Sequence, residues 1–305
     1  MSPAATAAAD GGTVAQHLAR AKINLYLHLL GRRPDGYHLL DSLIVFAELG
    51  DVIEVAAAER LSLGLSGPFG EALSAALDQP GDNLVLRAGR ALSQAEGIEA
   101  GARIALEKRL PPAAGIGGGS SDAAATLLAL AELWRLRLDA ATLARIGLGL
   151  GADVPACLAQ PASVFVGGIG GEVRPTPRLP PAAVLLVNPG VRLATADVFR
   201  AFDGAWSAPA RFETAPASAA ELAALLARRG NDLEAAAMSL APEIGDVLTR
   251  LEALPEALLA RMSGSGATCF ALFAETAAAE RARARLAGEH PDWWLAAAPL
   301  SGNAS

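Results

Sequence analysis

A glycine-dense stretch that ends in two serines has the clearest chemical potential in this sequence. Residues 110–130 read LPPAAGIGGGSSDAAATLLAL, so a loop containing Gly115, Gly117, Gly118 and Gly119 runs directly into an apolar helical pattern. Glycine lacks a Cβ and lets the backbone approach a bulky ligand closely. The first N–H groups of a helix have no partner inside it, and the helix dipole is positive at that end. The pattern therefore predicts a site for phosphate groups.

Two hydroxyl side chains follow these glycines. Ser120 and Ser121 can donate hydrogen bonds to phosphate oxygens, and one of them could reach a metal ion. Neither well-known phosphate loop fits, because GxxxxGK[ST] needs a lysine that is missing and GxGxxG needs a third glycine where Ser120 or Asp122 stands. A flexible turn with a serine N-cap is the alternative interpretation of the loop taken alone.

Three polar side chains elsewhere could take part in chemistry with a bound phosphate. Lys22 and Asn24 lie two residues apart in the strand-like segment AKINLYLHLL, so both would project from its polar face and could reach into a cleft. Asp153 comes just after a helical pattern and just before a Val-Pro step. The local letters leave a solvated strand face open for the first two, and a cap or turn role open for Asp153.

An aromatic residue and a histidine follow a turn signal. Pro34, Asp35 and Gly36 predict a turn that delivers Tyr37 and His38 to the next apolar segment. Such a pair could stack on a planar base. Ordinary packing is the alternative.

The elements that would position these residues form a mixed pattern of helices and strands. Residues 49–51 are expected to turn the chain between two strands, and the proline-rich stretch 174–181 is the best candidate for a linker. Alternating or apolar runs predict strands at 21–30, 42–47, 52–55, 61–67, 103–110, near 183–190 and near 293–298, with a hairpin at 163–173. Helical periodicity predicts helices at 83–96, from the glycines onward, and at 139–150, 218–229, 242–254 and 276–286.

Composition and charge limit the class of protein. A chain of 305 residues, 52% hydrophobic and 19% charged, favours two folded domains. The net charge of −7 argues against a general binder of nucleic acid or membrane surfaces. Cys157 and Cys269 lie in apolar runs and indicate buried, reduced thiols. With no run long enough for a membrane span and no signal-peptide pattern, we expect a cytoplasmic protein with a disordered tail at residues 1–14.

Several segments together resemble one family. Residues 111–121 read PPAAGIGGGSS, which is similar to the phosphate loop P-x₃-G-(L/I)-G-x-(G/S)-S-(S/A) of the GHMP kinase superfamily, named for galactokinase, homoserine kinase, mevalonate kinase and phosphomevalonate kinase. The start AKINLYL with GRRPDGYH, the segment GADVP and the turn SGSGATCF resemble a branch that acts on a cytidine diphosphate-linked polyol, in the same order. The likeness covers nearly the whole chain after the tail. Residues 111–121 are called the glycine loop below.

The resemblance implies an α+β, two-domain GHMP-kinase-like fold. Its N-terminal nucleotide domain, residues 15–175, would resemble domain 2 of ribosomal protein S5, and its C-terminal domain, residues 176–305, would be ferredoxin-like. ATP with Mg²⁺ as co-substrate and a small-molecule substrate would meet between them. Monomer and homodimer both stay open.

The resemblance also implies roles for single residues. Asp153 would take the proton from a substrate hydroxyl group. Lys22 would hold that carboxylate ionised and stabilise charge as the γ-phosphoryl group moves, and Asn24 would bond to the substrate nearby. The ATP phosphates would be held by the glycine loop, with Ser121 also a possible Mg²⁺ contact: Pro111, Pro112, Ala113, Ala114, Gly115, Ile116, Gly117, Gly118, Gly119, Ser120 and Ser121.

On the substrate side, Tyr37 and Phe199 would sandwich the cytosine ring. His38 would bond to the polar edge of the ring, and Thr195 would lie near the substrate. Residues 201–220 match the family pattern least, and no substrate contact is assigned there.

Two other functions stay open at this point. Another kinase of the superfamily, acting on homoserine or a mevalonate-type acid, would share the glycine loop. A nucleotide-binding module without catalysis would bind ATP and transfer nothing. The pair Tyr37 and His38, with Phe199, favours the cytidine ligand.

Overall fold

The computed structural model describes residues 15–75 and 83–302. The tail predicted at residues 1–14 lies outside the described residues. No helix in the described ranges is both long and apolar enough to cross a membrane. Cys157 and Cys269 are free and buried, as predicted.

The N-terminal half contains one sheet with helices packed against it. Its strands are β1 (Ala15–Arg32), β2 (His38–Ala58), β3 (Ser62–Ser66), β4 (Gly101–Glu107), β5 (Val164–Gly168) and β6 (Glu172–Pro175). Its helices are α1 (Gly70–Ala75), α2 (Leu84–Glu96), α3 (Gly118–Leu133), α4 (Ala140–Leu150) and α5 (Val154–Cys157).

The long strand β2 organises this sheet. It pairs antiparallel with β1 on one side, and on the other with β5 over residues 40–44 and with β4 over residues 52–58. The strand order is β3-β4-β2-β5-β6, with β1 off this path on β2. The helix α3 packs against β1 and β2, so the glycine loop at its start lies close to both strands.

The strand β1 is buried on both faces over residues 21–29. Sequence alternation predicted a half-buried strand, but Lys22, Asn24 and His28 are buried as well. A buried lysine needs charged or polar partners because an unpaired charge is costly away from water. The polar face of β1 is therefore part of an interior site rather than a solvated surface.

The predicted turn at residues 49–51 is wrong. These residues continue β2, and Gly50 lies opposite Arg20 of β1 next to a register shift. A Cβ on Gly50 would come within 2.2 Å of the carbonyl oxygen of Ala19. The glycine thus marks a close approach of two strands, which local sequence cannot distinguish from a turn.

The C-terminal half contains a four-stranded antiparallel sheet. Its strands are β7 (Ala183–Asn188), β8 (Leu259–Met262), β9 (Cys269–Phe273) and β10 (Trp294–Pro299), in the order β10-β7-β9-β8. This order is that of a ferredoxin-like sheet, as predicted. Its helices are α6 (Thr195–Ala201), α7 (Ala219–Leu226), α8 (Glu234–Leu240), α9 (Glu243–Glu252) and α10 (Thr276–Glu289).

The two halves share a hydrophobic core. One cluster combines Ile23 of β1 and Val45 of β2 with Leu186 of β7 and Phe270 of β9. Backbone bonds also cross, since the N–H of Leu27 donates to the carbonyl of Gly230 at 3.0 Å. Of the predicted linker 174–181, the first two residues belong to β6, and residues 176–181 have no regular structure on the way to β7.

Replacing Gly50 by alanine should lower the unfolding free energy by about 2 kcal/mol or more, because the new Cβ would overlap the backbone of β1. Gly64 of β3 provides the control, since its nearest atom would be 4.0 Å from a Cβ. Urea unfolding of both variants measures the difference. Equal stability of the two variants would contradict the close-approach interpretation.

Candidate active site

A cavity of about 1070 Å³ lies between the two halves. The three polar residues that the sequence analysis singled out all line this cavity: Lys22, Asn24 and Asp153. The predicted substrate-side residues do so too: Tyr37, His38, Thr195 and Phe199.

An ion pair links β1 to the start of α5. The ammonium group of Lys22 donates to Oδ2 of Asp153 at 2.9 Å and to Oδ1 of Asn24 at 2.9 Å. The Lys22 side chain is buried, whereas that of Asp153 is 40% exposed. Asp153 directly precedes α5 but makes no capping hydrogen bond with its side chain. Its carboxylate is thus paired on one side and open to a ligand on the other.

The amide of Asn24 is fixed by its neighbours. Its Nδ2 donates to Oγ of Ser42 at 2.8 Å, and that hydroxyl donates to the carbonyl of Tyr26 at 2.6 Å. The backbone N–H of Asn24 donates to Oγ of Ser263, from the second half, at 3.2 Å. These bonds hold the Asn24 oxygen on Lys22 and so orient the ammonium group.

The glycine loop lies directly on Lys22. The backbone N–H of Lys22 donates to the carbonyl of Ile116 at 2.9 Å. Gly117, the N-cap of α3, has a φ of 65°, and a Cβ there would lie 2.9 Å from Cε of Lys22. Glycine is needed for both reasons. The first N–H groups of α3 have no helical acceptor, and residues 117–120 line the cavity, which fits a phosphate group.

Only part of the glycine loop reaches the cavity. Ile116 is buried in the core and contributes its carbonyl group to Lys22 instead. Ser121 is fully buried and its hydroxyl donates to Sγ of Cys157 at 3.4 Å, so the structure does not bring the expected Mg²⁺ contact to the cavity. Ser120 is the serine of the pair in the lining. The predicted loop residues that line the cavity are Ala113, Ala114, Gly115, Gly117, Gly118, Gly119 and Ser120, whereas Pro111 and Pro112 do not.

The turn SGSGATCF of the second half packs against the glycine loop. The N–H of Thr268 donates to the carbonyl of Ala114 at 3.1 Å, and Oγ of Ser263 donates to the carbonyl of Gly115 at 3.2 Å. A Cβ on Gly115 would come within 2.4 Å of the carbonyl oxygen of Gly266. The close backbone contact explains why both segments are rich in glycine.

A buried ion triad, formed by Lys108, Asp51 and Asp122, lies beneath the start of α3. Lys108 donates to Oδ2 of Asp51 and, at 2.8 Å, to Oδ2 of Asp122. All three side chains are almost completely buried. A Cβ on Gly118 would lie 3.0 Å from Nζ of Lys108. The missing side chain of Gly118 therefore leaves room for the triad, while its backbone lines the cavity.

The two carboxyl groups of this triad differ in their remaining partners. Asp51 accepts two further hydrogen bonds at Oδ1, from the backbone N–H groups of Arg109 at 2.6 Å and Leu110 at 2.8 Å. Oδ1 of Asp122 has no partner among the described residues. Burial, opposed in part by Lys108, raises the pKa of Asp122 to about 8. The raised pKa favours the neutral form of the Asp122 carboxyl group.

His38 lies among aromatic rings. Its ring centroid is 5.2 Å from that of Phe199, 6.2 Å from Phe202 and 5.8 Å from Trp206. Burial and the nearby guanidinium of Arg32 lower the pKa of His38, so its ring is neutral at neutral pH. A neutral imidazole offers one hydrogen-bond donor and one acceptor to a ligand.

The other substrate-side residues lie at the rim. Tyr37 is 62% exposed beside the cavity. Thr195 starts α6 and its hydroxyl lies 2.9 Å from that of Ser265. Sequence reasoning missed Phe202 and Trp206, which also line the cavity and lie in the segment where no contact was assigned. Their aromatic type, in a chain with only 5% aromatic residues, was the available signal.

Relatives with closely similar sequences are known. Profiles of the GHMP kinases N terminal domain and the GHMP kinases C terminal match residues 83–160 and 212–292. The 4-diphosphocytidyl-2-C-methyl-D-erythritol kinase of Paramagnetospirillum magneticum is 50% identical over 92% of this chain and 97% of its own length. That of Cereibacter sphaeroides is 52% identical over 93% and 98%. This chain belongs to the 4-diphosphocytidyl-2-C-methyl-D-erythritol kinase family.

Solved structures agree with this family. A crystal structure of 4-(cytidine 5'-diphospho)-2C-methyl-D-erythritol kinase has a TM-score of 0.74 and 36% identity, covering 94% of this chain and 100% of that chain. A homoserine kinase from Cytophaga hutchinsonii shares the fold, with a TM-score of 0.68 and 16% identity over 97% and 96% of the two chains. The predicted GHMP kinase membership, the α+β fold and the class of ATP-dependent phosphotransferase with an alcohol acceptor are confirmed.

The buried ion triad of this family member predicts a pH-dependent stability. The unfolded Asp122 carboxyl group releases its proton near pH 3.9, whereas the folded one keeps it up to about pH 8. The contribution of Asp122 to the unfolding free energy should thus be fully present below about pH 4 and be lost progressively as the pH rises towards about 8. Asp122→Asn, which cannot ionise, should remove this part of the slope.

Urea unfolding at several pH values measures the difference between wild type and Asp122→Asn. Asp246→Asn, an exposed change on α9, is the matched control and should follow the wild type. Parallel curves for wild type and Asp122→Asn would show that the triad does not hold a proton.

Proposed function

We propose that this protein transfers the γ-phosphoryl group of ATP to the 2-hydroxyl group of 4-diphosphocytidyl-2-C-methyl-D-erythritol, within the non-mevalonate route to isoprenoids. The observation that carries the proposal is the 2.9 Å hydrogen bond between Lys22 and Asp153, in a cavity that the glycine loop also lines. Family membership supports the choice of substrate.

In the proposed reaction Asp153 acts as the general base. Its open oxygen accepts the proton of the substrate hydroxyl group while the hydroxyl oxygen forms a bond to the γ-phosphorus. The bond from that phosphorus to the β,γ-bridging oxygen breaks, and its electron pair leaves with ADP. Lys22, held by Asp153 and Asn24, stabilises the negative charge that spreads over the moving phosphoryl oxygens.

The phosphates of ATP lie on the glycine loop in this proposal. Backbone N–H groups of residues 117–120 supply directed donors without adding side-chain charge, which suits a chain with a net charge of −7. No group of three or more His, Cys, Asp or Glu side chains among the described residues is arranged to hold a metal ion. If Mg²⁺ accompanies ATP as co-substrate, Ser120 is the hydroxyl of the serine pair that lines the cavity and could contact it, and the ion would help to neutralise the phosphate charge.

The cytidine part of the substrate lies at the aromatic end of the cavity. Tyr37 and Phe199 stack on the two faces of the cytosine ring, and neutral His38 bonds to its edge. Thr195 contacts the substrate close by. Homoserine and mevalonate have no planar base, so this group of rings argues against the two other substrates.

Asp153→Asn should reduce kcat by a factor of about 10² to 10⁴, the usual contribution of a general base. The dissociation constant of ADP should change by less than about 3-fold, because Asp153 contacts the hydroxyl and not the glycine loop. Lys22→Met should also reduce kcat. Coupled-assay kinetics and ADP titration measure both quantities.

The exposed change Asp246→Asn is the control for loss of a carboxylate and should keep wild-type kinetics. If Asp153→Asn and Lys22→Met both retain most of the turnover, the assigned chemistry is wrong. A wild-type protein that binds ADP and transfers no phosphate would be the non-catalytic module.

A thermal-shift panel tests the substrate class. A ligand that binds only the folded state raises stability by mass action. CDP should therefore raise the melting temperature by several degrees at about 100 times its Kd. UDP should raise it less, because the hydrogen-bonding edge of uracil differs from that of cytosine, and mevalonate should not raise it. Tyr37→Ala should reduce the CDP shift and keep the shift caused by MgATP. A shift with mevalonate alone would favour the rival kinase.

A further inference from the structure

The irregular segment that follows α6 carries two aromatic side chains into the cavity. Phe202 packs partly on the core of the second half, and Trp206 lies outside it, with the two ring centroids 5.4 Å apart. Trp206 remains 49% exposed. Of the four large hydrophobic side chains exposed in the described ranges, Tyr37 and Trp206 are the two that line this cavity.

The chain just after Trp206 is fixed to the first half although it has no regular secondary structure. The N–H of Ser207 donates to the carbonyl of Leu29 at 2.9 Å, and Nδ1 of His28 donates to the carbonyl of Ala208 at 3.0 Å. The Ser207 hydroxyl donates to Oδ1 of Asp232 at 3.1 Å. Three bonds thus hold the two residues after Trp206 against β1 and its neighbours.

A buried carboxylate holds the continuation of this segment. Asp41 of β2 accepts from the N–H of Ala210 at 2.7 Å and from Nε of Arg211 at 2.7 Å. It also accepts from the hydroxyl of Tyr26 at 3.0 Å. A segment anchored in this way presents its side chains in one arrangement, so little ordering entropy is lost when a ligand binds.

The free surface of Trp206 faces the site of the base. Its ring is 5.8 Å from that of His38, the residue proposed to bond to the cytosine edge. The indole N–H makes no hydrogen bond to any described residue and can donate to a ligand. The exposed indole ring places apolar surface in contact with water, and a ligand that covers this surface gains free energy by removing it from water.

We propose that Trp206 is a further substrate-binding residue, which forms the outer wall of the pocket for the cytidine moiety. This inference rests on the proposed function, since it names a contact to the same substrate. Phe202 supports Trp206 from the core side, and the anchored segment fixes its position. The ring contacts of Trp206 are with His38 and Phe202 and not with the glycine loop, where the ATP phosphates are proposed to lie, so Trp206 should act on the acceptor and leave the donor unaffected.

Steady-state kinetics test the contact. Trp206→Ala should raise the KM for the cytidine substrate about 10-fold, in line with the loss of one base–aromatic contact. The KM for ATP and kcat should stay within about 2-fold, because the phosphate loop and Asp153 are untouched. Trp206→Phe keeps an aromatic ring and should change the KM by less than about 3-fold. Circular dichroism and the melting temperature establish that both variants are folded.

Intrinsic fluorescence gives a readout without turnover. CDP should change the tryptophan fluorescence of the wild type, and Trp206→Phe should remove most of that change. Trp293→Phe is the matched control, since Trp293 stacks on His290 at 3.8 Å outside the cavity and should leave the CDP response intact.

The outcomes separate this inference from the proposed function. An active wild type together with a Trp206→Ala variant of unchanged KM would overturn the role of Trp206 alone. An unchanged fluorescence response in Trp206→Phe would do the same. A wild type that neither phosphorylates the cytidine substrate nor binds CDP would overturn the proposed function and this inference with it.

Discussion

Backbone contact between the glycine loop and its two neighbours is the constraint on which the site depends. On one side Gly117 lies against the stem of Lys22, and on the other Gly115 lies against the carbonyl of Gly266. A Cβ on Gly115 would come within 2.4 Å of the carbonyl oxygen of Gly266, and one on Gly117 within 2.9 Å of Cε of Lys22, so a side chain at either position would force its neighbour to move. The loop can therefore pack directly against both β1 and the second half only because it consists of little more than backbone.

Electrostatics impose a second constraint, because an acidic chain must hold a polyphosphate. In the proposed function the cavity meets this constraint locally, with backbone N–H groups of α3 and the ammonium group of Lys22. Beneath that helix, the proton retained by Asp122 removes one negative charge from the buried ion triad. A fully ionised triad would carry a net negative charge close to the phosphates and oppose their binding. Burial is the main cause of the raised pKa of Asp122.

The sequence predicted those parts of the site that local patterns encode, and missed those that depend on contacts between distant segments. The glycine loop, the spacing of Lys22 and Asn24, and Asp153 after a helix are local patterns, and the resemblance that names their roles spans them. The direction in which Ser121 points depends on where α3 begins, which is just after its N-cap Gly117. The role of Gly50 depends on its pairing with Arg20, which lies 30 residues earlier in the chain. Trp206 lies in a segment without periodicity, held by distant residues, so no local rule could place it.

The hydrophobic core that the two halves share holds the walls of the cavity in fixed positions. Asp153 and the glycine loop come from the first half, and Phe199, Phe202 and Trp206 come from the second. A hinge between the halves would have to break the backbone bonds that Leu27 makes to Gly230 and Asp232, at 3.0 and 2.9 Å, and open an apolar cluster that both sheets fill. Such a cost favours a preformed cleft, in which the acceptor hydroxyl group meets the phosphate by positioning rather than by closure of domains.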